Sequence, residues 1–451
     1  MSDTPPPAAR EGSLDAPTRH PLAWRDEAFY DLEAIEAEME RVFDICHGCR
    51  RCFNLCDSFP RLFDLVDEGA TGEIDGVPKE KYADVAEACT LCDMCFMTKC
   101  PYVPPHAFNL DFPHLILRYR AAKRRHEGGD AVREQLGKTD RNGRLAKPVA
   151  GLANWATARK NTPLRGLLEA IAGIDREAEL PAYHARTAQD RLKTPPAPDP
   201  AGPAFGRRRA LLYATCFANY NQPDTATAAA AVLAKQGVEV RLFYPECCGM
   251  PQLEAGDLAD VAGRAERVAA AFAPFIADGW DVVALTASCG LMMKFEWPLL
   301  IPESAAVKAL SAATRDVSEY VVGLSKAFGL APGLTPLAGG VTVHHACHAR
   351  AQNMGARSAE MLKLIPDTRV ELVERCSGHG GTFGVMKETR PVALKVGKAA
   401  ARQVAQKTTE ELCSDCPLAC RHLGQMVAAE ADGPILRQGH PIEMLAKAYG
   451  L

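Results

Sequence analysis

The sequence predicts an α/β protein whose first third is all-helical and whose second half is one α/β module present twice. Three observations carry this. Beyond residue 205, short β-type runs alternate with Ala-rich helical stretches, the pattern of a parallel sheet covered by helices. The order of strands and helices then recurs from residue 341 onward. Most of the 17 cysteines fall in tight groups two residues apart, which is metal-ligand spacing and not the framework of a disulfide-stapled secreted domain.

Composition narrows the class further. A chain of 451 residues holds two to four domains at roughly 100–200 residues each. With 47% hydrophobic and 24% charged residues, it is neither disordered, collagenous nor a coiled coil as a whole. The net charge of -4 lacks the basic excess of a general nucleic-acid binder. No apolar run approaches the ~18 residues of a membrane span, and the start is polar and proline-rich without a secretory signal pattern. A cytoplasmic protein with no transmembrane segment is expected, peripheral membrane docking staying open.

Residues 1–25 read as a flexible leader. Phe29, Leu32, Ile35, Met39, Val42 and Phe43 recur at helical spacing over 26–45 and lead into the first cysteine group. Short helices are expected at 60–66 and 81–88, around a turn at 69–78, within a domain spanning 26–130. A basic helical connector and proline-rich linker follow at 131–205. Thirteen Lys and Arg between Arg118 and Arg165 face only Glu127, Asp130, Glu134 and Asp140, so this stretch is either a solvated connector or a docking face for an acidic redox partner. Pro195, Pro196, Pro198, Pro200 and Pro203 mark a stiff extended linker.

The first module spans 206–330, with strands at 210–214, 238–244 and 282–285 and helices at 225–236 and 256–275. The second spans 335–451, with strands at 341–345 and 370–373 and helices at 357–365 and 390–406. Cys216, Cys247, Cys248 and Cys289 of the first answer to Cys347, Cys376, Cys413 and Cys416 of the second. In both, the cysteines fall just after strands or in loops before helices, where open α/β sheets bind ligands.

Cys46-x2-Cys49-x2-Cys52-x3-Cys56 and Cys89-x2-Cys92-x2-Cys95-x4-Cys100-Pro101 resemble paired bacterial-type ferredoxin motifs, in which each 4Fe-4S cluster takes three thiolates from one run and the last from the other. The resemblance implies Cys46, Cys49, Cys52 and Cys100 for one cluster and Cys89, Cys92, Cys95 and Cys56 for the other. Zinc also uses Cys-x2-Cys pairs, but zinc sites usually separate two pairs by a longer insert. The second run departs from the common spacing by one residue before Cys100. The long insert and helical flanks resemble the α-helical ferredoxin of respiratory iron-sulfur subunits.

Pro245-Glu246-Cys247-Cys248-Gly249-Met250-Pro251, Cys347-His348-Ala349-Arg350 and Cys376-Ser377-Gly378-His379-Gly380-Gly381-Thr382-Phe383-Gly384, together with the two runs and Asn109-Leu110-Asp111-Phe112-Pro113, resemble the fused ferredoxin plus CCG-domain iron-sulfur proteins. That family includes the C subunit of anaerobic glycerol-3-phosphate dehydrogenase, the glycolate oxidase iron-sulfur subunit and heterodisulfide reductase-related proteins. The fold it implies is an N-terminal α-helical ferredoxin domain and C-terminal tandem α/β CCG-type modules. The relatives' centres use five cysteines, whereas the first module has Met292 and the second Ser377 at one of those positions. Four thiolates per site imply one or two further iron-sulfur clusters, with zinc or no metal open for the second.

The expected function is that of an electron-transfer subunit serving a flavoprotein dehydrogenase or a di-iron peroxide-reducing protein. Alternatives are a disulfide-reducing enzyme at the CCG centre and a cluster-based redox sensor. His348 and His379, beside ligand cysteines, are candidates for ligation, proton relay or plain hydrogen bonding. Cys420 reads as a buried thiol or a spare ligand, and Glu246 as an acid or a cap. There is no Gly-x-Gly-x-x-Gly junction, phosphate-binding Lys loop or Gly-x-Ser-x-Gly elbow, so no flavin or nicotinamide site is expected within the chain.

Overall fold

The computed structural model describes residues 17–429 and 436–451. The chain forms two compact units, Met1–Gly128 and Gly129–Leu451.

Regular structure in the first unit is helical. Asp31 caps the helix Leu32–Cys49 by accepting from the Ala34 N–H at 3.2 Å. Periodicity places the start at 26, but a 3-10 turn Glu27–Tyr30 comes first, and the α-helix begins where the cap is. It runs on to Cys49, so Cys46 and Cys49 sit one turn apart on the same face. Both expected short helices form, as Ser58–Asp67 and Tyr82–Glu87, and Phe112–Glu127 adds another, capped by Asp111. The Phe112 ring lies 4.7 Å from that of Phe59 and 5.9 Å from that of Phe43, an aromatic core that fixes the helices carrying the cysteine loops.

Of the expected leader, 1–16 lies outside the described residues, and 17–25 is anchored through Arg19. Arg19 forks between Asp93 (2.7 Å) and Asp111 (2.9 Å) and stacks over Phe96 at 4.4 Å. These paired charges tie the segment to the second cysteine loop.

The second unit contains two four-stranded sheets, ordered β2-β1-β3-β4 and β6-β5-β7-β8 with every pairing parallel. The strands are β1 Arg209–Tyr213, β2 Glu239–Phe243, β3 Asp281–Ala284, β4 Thr314–Asp316, β5 Val341–His344, β6 Val370–Val373, β7 Glu411–Ser414 and β8 Arg437–Gly439. The second sheet copies the first in register: Tyr213 pairs with Phe243 and Ala284, and His344 with Val373 and Ser414. Ala210, Leu211, Leu212 and Tyr213 are all buried, because helices cover both faces, and β1 accordingly reads as a continuous apolar run. The strands β4 and β8 escape sequence reading: each is three residues long, polar, and at an edge.

The segment 129–205 is seated in this unit. The Asp199 N–H donates to Ala234 O at 2.8 Å and the Ala204 N–H to Gln236 O at 2.9 Å, satisfying carbonyls left open at the end of the helix Pro223–Lys235. The proline-rich stretch is therefore a cap on the first module, not a free linker. Nor is the basic stretch uniformly solvated. Arg165 is fully buried and donates to the carbonyls of Thr157 (3.0 Å), Asp175 (2.6 Å) and Ala178 (2.8 Å), while Arg118 donates to Phe29 O at 2.8 Å.

The two modules meet near the carboxyl ends of their sheets. The Ala287 N–H donates to Asp415 O at 3.2 Å, Gln352 Nε2 to Ala287 O at 3.0 Å, and Ser288 Oγ lies 2.8 Å from His348 Nδ1. His348 thus bridges the modules by a hydrogen bond.

Buried histidines give the second module a pH dependence. Burial pushes His344 down to about 4 and His440 to about 3. His344 meets Ser414 Oγ and Arg375 O, each at 3.0 Å, and His440 Nδ1 accepts from the Ile442 N–H at 3.2 Å. Unfolded, both titrate near ~6.5, so below that pH the unfolded chain binds more protons than the folded one. The stability they contribute is full above pH ~6.5 and falls by ~1.4 kcal/mol per pH unit per histidine toward pH ~4. Urea unfolding at a series of pH values should show this slope, and His440→Asn, which keeps a capping acceptor, should reduce it.

Candidate functional site

In the first unit the two cysteine runs close on each other. Cys46 and Cys49 sit on the last helical turn, and Arg50, Leu91 and Asp93 take left-handed backbone angles (φ 51°, 48° and 64°) that turn the loops between cysteines. Cys95–Lys99 forms a π-helical turn closed by the Cys100 N–H on Cys95 O at 2.8 Å. A π turn takes up one residue more than an α turn; the additional residue before Cys100 is absorbed there.

The thiols sort into two groups. Burial, then Cys100, Cys52 and Cys49, pushes Cys46 well up. Burial, then Cys92 and Cys89, does the same to Cys56. Burial, then Cys100 and Cys49, raises Cys52 to about 12, and Cys95 feels first Cys92 and Cys89. Cys100 therefore stands with the first run and Cys56 with the second. Burial and neighbouring thiols raise Cys46, Cys52 and Cys100 in one group and Cys56, Cys89 and Cys95 in the other, and four thiols gathered in this way form a donor set suited to a cationic metal core, whose charge draws the protons off.

In the second unit Cys216 follows β1, Cys247 and Cys248 follow β2, and Cys289 follows β3, at the carboxyl ends where the chain leaves the central strand toward opposite sides. Cys216 and Cys247 Sγ are 3.7 Å apart, and Cys248 links Cys247 to Cys289. Gly249 holds φ at 85° with Val261 and Arg264 against it, so the turn after the vicinal pair requires glycine. Trp297 Nε1 donates to Cys248 O at 3.2 Å. Four contiguous sulfurs, with Cys247, Cys248 and Cys289 buried and Cys216 half-buried, fit a metal-sulfur centre. Met292, where a fifth ligand would fall, is fully buried.

The second module brings together only part of its expected set. Cys376 is lowered to about 7, first by its contact with Cys347, then by the Gly378 N–H at 3.3 Å and by Arg350, against burial. Cys413 is not brought to them: it is fully buried on β7, in the same apolar cluster as Ile442 and Leu445. Strand alternation turns its side chain to the face opposite Leu412. Cys416 packs beside Ala287, Ala346 and Ala349, and burial raises it to about 11. Cys420 is buried and donates to Leu412 O at 3.4 Å. Glu246 pairs with Arg267 at 2.8 Å.

The sequence pattern of the cysteine-rich CCG domain matches residues 210–294 and 341–422, one copy on each sheet. The chain carries two CCG domains. It is homologous to the C subunit of anaerobic glycerol-3-phosphate dehydrogenase from Escherichia coli strain K12, 27% identical over 322 residues, covering 69% of this chain and 76% of that protein. The D subunit of the dihydromethanophenazine:CoB--CoM heterodisulfide reductase of Methanosarcina mazei is 26% identical over 252 residues, 53% of this chain and 59% of its own length. Citrate utilization protein B of Escherichia coli matches 91 residues at 31% identity, 20% of this chain and 21% of that protein. Two of these relatives are subunits of oxidoreductases.

The centre of the first CCG domain includes residues that sequence reading missed. Asp140 Oδ2 accepts from the Cys247 N–H at 2.8 Å, and the Tyr244 hydroxyl donates to its other oxygen. Burial pushes this carboxyl up. Thr139 lies beside Cys216 and Cys247, and Gln252 Nε2 donates to Gly137 O at 3.0 Å. The helix Thr139–Ala146 comes this close because Gly143 lies on Tyr220, where an added Cβ would be 2.4 Å from the ring. In the sequence, Asp140 is one acid diluting a basic stretch.

No helix among the described residues is long and apolar enough to cross a membrane.

Proposed function

We propose that the chain is an iron-sulfur electron-transfer subunit of a larger oxidoreductase. In this reading Cys46, Cys49, Cys52 and Cys100 hold one 4Fe-4S cluster, Cys89, Cys92, Cys95 and Cys56 a second, and Cys216, Cys247, Cys248 and Cys289 a further metal-sulfur centre. The supporting observation is the grouping of Cys100 with the first run and Cys56 with the second, the exchange used by two-cluster ferredoxins. Bound clusters supply reversible one-electron chemistry. The chain's residues hold and bury them, Arg19 pinning the second loop and Asp140 orienting the Cys247 backbone. The cluster-binding unit ends at Gly128, and 129–205 belongs with the first CCG domain.

The partner is a flavoprotein dehydrogenase or a di-iron peroxide-reducing protein. Its docking face is the outer side of the helices Thr139–Ala146, Ala150–Thr157 and Thr162–Ala172. Leu145, Val149, Leu152, Trp155, Leu167 and Ile171 are 48–74% exposed there, interspersed in sequence with Arg144, Lys147, Arg159 and Lys160, of which Lys147 pairs with Asp190 and Arg159 with Glu177. Aromatic and aliphatic anchors among basic residues fit a protein surface of apolar centre and acidic edge. The helix Thr139–Ala146, whose Asp140 accepts from the Cys247 N–H, carries part of this face.

Stopped-flow oxidation of the reduced full chain by the partner recovered from anaerobic extract tests the reading. The rate should fall severalfold as the Debye length drops from ~10 Å to ~3 Å, and Trp155→Asp should slow it at low salt. A rate indifferent to both removes the docking face. The vicinal Cys247-Cys248 pair favours one second reading, disulfide reduction within the chain itself. Steady reduction of a disulfide by the purified chain with a low-potential dye would select it.

A further inference from the structure

The two sheets share a register close enough to compare their cysteine sites position by position. Each of β3 and β7 has four residues, then two more, then a helix starting at Ala287 or Pro417. Cys289 therefore corresponds to Ala419, and Met292 to His422. Cys216 and Cys347 each lie three residues beyond the paired ends of β1 and β5. Gly249 and Gly378, with φ of 85° and 76°, align Cys247 with Cys376 and Cys248 with Ser377. Cys416 falls opposite Thr286. Thus only two of the first domain's four thiols have counterparts in the second, and the all-thiolate set expected of a cluster does not fit.

Nitrogen is available where sulfur is lacking. The side chains of His379 and His422 are more than nine-tenths buried, and their rings are 5.7 Å apart. Neither Nε2 has a hydrogen-bond partner. His422 donates its other ring N–H to the Ala393 carbonyl, which fixes a neutral tautomer with the Nε2 lone pair free, the arrangement usual in a metal-ligating histidine. His379 follows Cys376 by three residues on one loop, and Gly378, Gly380 and Gly381 all have positive φ there. His422 occupies the position one helical turn beyond that of the ligand Cys289, on the same side of its helix.

We propose that the second CCG domain binds one divalent ion of the zinc class through Cys347, Cys376, His379 and His422, in place of an iron-sulfur cluster. Two thiolates neutralise a divalent ion and the imidazoles stay uncharged, so the buried site is neutral overall. Two sulfurs and two nitrogens are a closed tetrahedral structural set. Among the described residues no three such donors already surround one point, which holds equally for the four cysteines of the first domain. Binding draws the sulfur pair and the nitrogen pair together.

The test uses the full chain purified anaerobically. Metal analysis should find about one zinc per chain, with a zinc-edge absorption spectrum fitting two sulfurs at ~2.3 Å and two nitrogens at ~2.0–2.1 Å. His422→Met, which installs the first domain's residue, and His379→Ala should each weaken zinc retention against a chelator at least about tenfold, with iron content unchanged. Cys413→Ser should retain zinc. A four-sulfur zinc shell, absence of zinc, histidine variants that hold zinc as tightly as the parent, or loss of about four irons on Cys347→Ser would each overturn the proposal. Should a histidine variant lose iron as well, it has unfolded, and the absorption spectrum of the unaltered chain decides.

Discussion

Cys49→Ser should remove about four irons per chain, and adding Cys100→Ser to it should remove no more, because in the proposed assignment both residues serve one cluster. Combining Cys49→Ser with Cys56→Ser should instead remove about eight, although Cys56 belongs to the same run as Cys49. The contrast follows from the grouping of Cys46 with Cys100, Cys52 and Cys49, and of Cys56 with Cys92 and Cys89. Iron and sulfide analysis of the anaerobically purified variants, with electron paramagnetic resonance of the reduced proteins, reads the result. Were each run to hold its own cluster, the pattern would invert: Cys49→Ser with Cys56→Ser would cost four irons and Cys49→Ser with Cys100→Ser eight. Zinc without iron in the wild-type first unit would sink both versions.

Much of the architecture was legible because the relevant signals are local. The strands β1, β2, β3, β5 and β6 are apolar or β-branched runs between turn residues, and a continuous run such as Ala210–Tyr213 signals burial on both faces. The grouping of Cys100 with the first run and of Cys56 with the second was expected only through resemblance, since spacing alone does not say which thiols meet. What was not legible depends on distant partners. Leu145, Leu152 and Trp155 lie scattered among Arg and Lys, and only the helices' orientation turns them outward. Cys413 looked like half of a Cys-x2-Cys pair with Cys416, but its place on β7 directs it into the apolar core. Arg165 reads as one more surface cation, yet it is buried because three backbone carbonyls converge on its guanidinium.

The proline-rich stretch before residue 205, taken as a linker, would make 206–451 a free-standing fragment able to assemble the Cys216, Cys247, Cys248 and Cys289 centre. The structure leads to the opposite expectation. Cutting at 206 removes Asp140, the acceptor for the Cys247 N–H, along with Thr139 beside the sulfurs and the carbonyl that holds Gln252. It also strips the helix Thr139–Ala146 from the Tyr220 ring. Leaving buried polar groups without partners costs about 1–3 kcal/mol each, and losing several around one metal site should abolish assembly of the centre. The fragment 129–451, which is compact by itself, should assemble it. Within the full chain, Asp140→Ala should destabilise the centre by about 1–3 kcal/mol per group left unpaired, seen as faster loss of iron to a chelator. Asp140→Asn, which retains an acceptor oxygen for the Cys247 N–H, should lose iron more slowly than Asp140→Ala. If 206–451 binds as much iron as 129–451, the helical segment is a passive connector and Asp140 has no part in holding the centre.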